Sequence, residues 1–120
     1  MLMPMTRLYF ANRSTEPLDL APQAVLRVSI RHLNHDQGIA FENDEDDLGP
    51  FEAAYFDLDG HVIALIHHAG EPKSSVSVYL DRGLGPKKVK KAVTTAMNEL
   101  GIDLGLLAWV ETETLRIHPD

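Results

Sequence analysis

The sequence predicts an α+β fold, with an antiparallel sheet and helices packed on one of its faces. Three observations predict it. Two apolar runs, FEAAYFDL and HVIALIHH, flank Asp59-Gly60, and Asp-Gly between such runs is the strongest short-range hairpin signal. SSVSVYLD follows, with Val76, Val78 and Leu80 alternating against Ser75, Ser77 and Tyr79, the period of a strand with two different faces. PKKVKKAVTTAMNEL, residues 86–100, places Val89, Val93, Ala96, Met97 and Leu100 on one side of a helix. A sheet and a striped helix bury their apolar faces by layering on each other.

Along the chain, RLYFA (7–11) reads as an edge strand. NRSTEPLDLAP (12–22) reads as loop, because Asn12, Ser14, Pro17 and Pro22 favour turns. Residues 22–34, PQAVLRVSIRHLN, carry two patterns. Leu26-Arg27-Val28-Ser29-Ile30-Arg31 alternates, and Val25, Val28 and Ile30 are β-branched, which favours a strand. Yet Leu26, Ile30 and Leu33 fall at i, i+4 and i+7, and Pro22 suits a first helical turn. The ending HLNHDQG, with His32 and His35 in a last turn and Gly38 beyond it, decides for a helix over 22–34. A short strand at Ile39–Phe41 then precedes Glu42-Asn43-Asp44-Glu45-Asp46-Asp47. Like charges this dense repel, which predicts a solvated loop closed by Gly49-Pro50.

Residues 51–80 form a three-stranded meander. A two-residue Asp59-Gly60 loop sets the register: Leu58 faces His61, Phe56 faces Ile63, Ala54 faces Leu65 and Glu52 faces His67. Glu52 and His67 then either make a cross-strand contact or point into solvent at the hairpin's open end. His61–His67 is apolar at both parities and should be central, covered on both faces. The helix at 86–100 starts with Pro86 and stops before Gly101. A final strand at 104–113 is apolar at first and polar from Glu111 onward, with Trp109 expected in the core beneath the helix. Residues 1–120 are expected to form one domain.

The chain contains no cysteine, which excludes disulfides, zinc ribbons and thiol catalysis. MLMPMTRLYFANR has a short apolar stretch broken by Pro4, and no run approaches the ~20 apolar residues of a membrane helix. A cytoplasmic protein with no membrane association is expected. The net charge of −7 opposes nucleic-acid binding, which needs a positive field to displace counterions.

FDLDG (Phe56–Gly60) resembles the nucleophile motif of the haloacid dehalogenase family. The resemblance implies Asp57 attacking phosphate and Asp59 acting as acid and base. The family expects Thr or a similar residue after the Gly, where this chain has His61, and it expects a parallel sheet with further motifs. Here a second strand follows at once, with no room for a crossover helix. The turn reading is therefore adopted, and no catalytic residue is assigned.

Other motifs are incomplete. His67 and His68 fall on opposite faces of one strand and cannot hold one ion. His32 and His35 could share a helix face, but His61 and His118 supply no third ligand at fixed spacing, so no metal or cofactor is assigned. An EF-hand count from Asp44 puts Gly49 at position 6 but Leu48 at 5 and Tyr55 at 12, and fails. RGLGPKKVKK gathers Arg82, Lys87, Lys88, Lys90 and Lys91 at a helix start. Arg82, Lys87 and Lys88 are candidates for anion binding there, although the stretch is no phosphate-binding loop of the G-x-x-x-x-G-K-[ST] kind. No serine–histidine–acid arrangement can be read from spacing.

These observations favour a small acidic protein without enzymatic activity. It would engage a basic protein partner through Glu42, Asp44, Glu45, Asp46 and Asp47, as an immunity or antitoxin-like inhibitor or a small chaperone. A homodimer is also compatible with the sequence. The alternative is a metal-dependent hydrolase or ligand-binding protein using Asp57, Asp59, His61 and His67.

Overall fold

The computed structural model describes residues 5–9 and 19–109. Its strands are β1 (Met5–Leu8), β2 (Leu20–Leu26), β3 (Glu42–Asp46), β4 (Gly49–Leu58), β5 (His61–His68), β6 (Val76–Asp81) and β7 (Leu107–Trp109). Its helices are α1 (Ile30–Gln37) and α2 (Pro86–Leu100). The fold is α+β. All strand pairs are antiparallel, in the order β1-β4-β5-β6-β2-β7, with β3 also on β4. The sheet is thus larger than a three-stranded meander with helices on one face. The expected meander, β4-β5-β6, is its centre, and β1 and β3 share one edge of the long β4.

The β4–β5 hairpin follows from its turn. Asp59 (φ 53°) and Gly60 (φ 85°) both adopt positive φ, as a type I′ turn requires. The Asp57 carboxylate accepts from the Gly60 amide at 2.8 Å. The register then pairs Leu58 with His61, Phe56 with Ile63, Ala54 with Leu65 and Glu52 with His67.

Side-chain alternation sorts the core. Ala54, Phe56, Ile63, Leu65, Val76, Val78 and Leu80 join Ala24 and Leu26 of β2, Leu33 of α1 and Val89, Val93, Ala96 and Met97 of α2 in one cluster. Phe51, Ala53, Tyr55, Ala64 and Ile66 form a second cluster from the alternate positions. Ile63 to Ile66 are all buried, as a central strand covered on both faces demands.

The expected helix over 22–34 is corrected: Leu20–Leu26 is strand, and α1 begins only at Ile30. Pairing decides this. β2 lies between β6 and β7, so its backbone groups find partners on both sides. Ala24, Leu26 and Val28 reach the core with period two. Ser29 then caps α1, its hydroxyl accepting from the His32 amide at 3.1 Å. Gly38 ends it at φ 67°.

The acidic run is corrected from loop to strand. β3 pairs Glu42 with Ala53 and Asp46 with Gly49. Asp46 Oδ1 accepts from the Leu48 amide at 2.9 Å, and Gly49 takes φ 110°. This turn chemistry and the open edge of β4 overcome the repulsion, because every β3 carboxylate past Glu42 still faces water. Residues 39–41, expected as a strand, form no ladder.

The final strand begins later than expected. Residues 104–106 form a 3₁₀ turn, begun by Asp103 accepting from the Gly105 amide at 2.8 Å, and β7 starts at Leu107. Trp109 is 37% exposed rather than core. It is the last described residue of β7, and it is Leu106 and Leu107 that pack on the core. Of the strand expected at 7–11, Arg7 and Leu8 belong to β1. His118, the segment 10–18 and the strand's continuation through 113 lie outside the described residues.

Candidate functional site

Three places on the fold concentrate polar side chains. The first is the tip of the β3–β4 hairpin, which gathers Asp44, Glu45, Asp46 and Asp47, all exposed, with Glu42 half-buried at its base. Asp46 is held: its Oδ2 lies 2.9 Å from Nε2 of His68. That hydrogen bond keeps the Asp46 carboxyl below the ordinary aspartate value, with further help from the Leu48 amide. Glu42 Oε1 lies 3.9 Å from Arg7 on β1. Among the described residues, no cation lies within ion-pair distance of Asp44, Glu45 or Asp47. Leu48, 79% exposed, forms the turn together with Asp47. Leu48 is a component the charge pattern did not reveal; its place directly before Gly49-Pro50 was the available signal.

The second is a cleft of about 590 Å³ between α1 and the end of the sheet. Ser29, Arg31 and Asn34 line it from the helix side, and Glu52, His67 and Lys73 from the sheet and the β5–β6 loop. The expected register therefore brings Glu52 and His67 to one cleft. His67 Nδ1 is 2.7 Å from the Ser75 carbonyl. A carbonyl only accepts, so Nδ1 carries the proton and Nε2 of the neutral ring is the acceptor. Backbone, not Glu52, orients this ring.

The third is a cleft of about 360 Å³ where the β4–β5 turn meets α2, lined by Leu58, Asp59, His61, Leu84, Lys88, Lys91, Ala92 and Thr95. Of the three residues expected to bind an anion, only Lys88 lies here. Arg82 is engaged with Asp19, Nε to Oδ1 at 2.8 Å. Lys87 is exposed on α2 outside the cleft. Gly85 caps α2 with no side-chain hydrogen bond, and the first turn holds no acid.

The alternative catalytic set does not converge. Asp57, Asp59 and His61 surround the β4–β5 turn. His67 lies six residues along β5, roughly 20 Å away at a strand's rise per residue. The two aspartates sit in an antiparallel hairpin, not on the parallel strand that the dehalogenase resemblance implies. Among the described residues no three His, Asp or Glu side chains are placed to hold a metal ion. No described helix is long and apolar enough to cross a membrane.

The chain matches no family model, no curated protein and no solved structure.

Proposed function

We propose that the protein is a binding protein without enzymatic activity and that it engages a basic macromolecular partner through the β3–β4 hairpin tip. Immunity or antitoxin-like inhibition of a basic protein is the role that fits this chemistry; a small acidic chaperone is the second. The observation that carries the proposal is the tip itself. Exposed Asp44, Glu45 and Asp47 share the hairpin tip with the 79%-exposed Leu48, on a backbone held by strand pairing. Carboxylates at such a tip steer a positive surface into contact and set its orientation. Leu48 supplies an apolar anchor, whose burial against a partner stabilises by about 1.5–3 kcal/mol. The hairpin is preorganised, which lowers the ordering cost of association.

The test is affinity capture from native lysate with the wild-type chain and with a variant carrying Asp44→Asn, Glu45→Gln, Asp47→Asn and Leu48→Ser. A basic protein retained by the wild type, released by moderate salt and lost from the variant is the expected result. Equal retention by both chains, or retention indifferent to salt, removes the hairpin from the interaction.

A further inference from the structure

The cleft between the β4–β5 turn and α2 combines two features that ordinarily lie apart. Its base is apolar and continuous with the core: Leu58 is 6% exposed, and Leu84 and Ala92 pack against the same cluster. Two cations, Lys88 and Lys91, line it as well, one helical turn apart. The chain carries 18 acidic residues against 11 basic ones. Even so, among the described residues neither lysine makes an ion pair. Asp59 lines the same cleft without bridging to either, and α2 offers no acid in its first turn. The volume of about 360 Å³ is within the range of small-molecule sites.

We infer that this cleft binds a small apolar carboxylate, with its hydrocarbon part on Leu58, Leu84 and Ala92 and its carboxylate between Lys88 and Lys91. An anion without an apolar body would leave the base wet. An apolar molecule without charge would leave both ammonium groups unmatched. A cation would be repelled by both. Asp59 opposes the carboxylate and limits affinity. The site is independent of the acidic hairpin, which lies on β3 and the start of β4 while this cleft lies at the other end of β4.

The test uses octanoate as probe and the full chain, read by amide resonance shifts and by thermal stabilisation. Octanoate is expected to shift the resonances of residues 58–61 and 84–95 and to raise the melting temperature. Octanol, octylammonium and inorganic phosphate at equal concentration are expected to do neither. Replacing both exposed lysines, Lys88→Gln with Lys91→Gln, should weaken octanoate binding about tenfold or more, since a charge-assisted contact is lost. Asp59→Asn should strengthen it, and Asn keeps the turn conformation accessible. Failure of octanoate to perturb these residues would overturn the inference, as would equal binding by the double-lysine variant. An equal response to octanol removes the role of the lysines, and an equal response to phosphate removes that of the apolar base.

Discussion

The Asp46 carboxylate and the His68 ring, 22 residues apart in the chain, meet at 2.9 Å and tie the acidic hairpin to the central strand. His68 is held from three sides. Its ring tilts against Phe51 at 5.2 Å between centroids. Its amide donates to Glu71 at 2.8 Å. Its Nδ1 lies 3.8 Å from the same carboxylate. The neighbouring His67 faces the opposite side of β5 and is oriented by Ser75, so two adjacent histidines serve two separate surfaces.

This contact has a pH signature. The Asp46 carboxyl titrates below its ordinary value of 3.8, chiefly through the His68 hydrogen bond. A carboxylate whose folded-state value is depressed stabilises the fold above the unfolded value and loses that contribution as pH falls through the folded one. Asp46→Asn should therefore melt below the wild type at about pH 6, and the difference should close towards about pH 2, where both side chains are neutral. Melting curves of both proteins across that range check it. A difference that is constant with pH would mean that packing, not charge, links the two residues.

The turn at Asp59-Gly60 predicts an asymmetric pair of variants. Gly60 holds φ 85° with open space where a Cβ would sit, so Gly60→Ala costs only backbone strain, about 1–2 kcal/mol. Asp59→Asn should change stability by less than about 0.5 kcal/mol. Urea denaturation of the two variants measures both, and a silent Gly60→Ala would contradict the type I′ geometry.

Two leucines should behave as opposites. Leu65 is fully buried on β5 and Leu48 is 79% exposed at the hairpin tip. Leu65→Ala is expected to cost about 2–5 kcal/mol by lost burial and a residual cavity. Leu48→Ala should change the unfolding free energy by less than about 0.5 kcal/mol. A large loss of stability at Leu48 would show that the residue packs within the chain rather than serving a partner.

Trp109 is the single tryptophan, and it is 37% exposed. Acrylamide should quench its native fluorescence appreciably, and unfolding should raise the quenching only modestly. Native emission resistant to acrylamide would place the indole in the core.

Residues 51–100 were the most legible part of the sequence because their structure is determined locally. Asp59 and Gly60 adopt the positive φ that few residue pairs tolerate, and a two-residue loop leaves one register open to FEAAYFDL and HVIALIHH. Pro86 and Gly101 mark the ends of α2 by the same local chemistry, and Val89, Val93 and Met97 follow from its period. Of the candidate sites, the meeting of Glu52 and His67 in one cleft came from that register. The grouping of Lys88 with His61 did not, because they lie on elements that only packing brings together.

Elsewhere tertiary structure decided between patterns the chain carries in parallel. Leu26, Ile30 and Leu33 fit a helix and Ala24, Leu26 and Val28 fit a strand. The strand prevails because β6 and β7 supply backbone partners on both sides of β2, a gain that no local window contains. Glu42–Asp46 repels itself in isolation, yet it lies along the open edge of β4, where ladder hydrogen bonds and the Asp46–His68 contact outweigh exposed charges already solvated by water. Local backbone preference thus wrote the hairpin and the long helix into the sequence, while the partners of an edge are distant in the chain and are selected only when the whole sheet assembles.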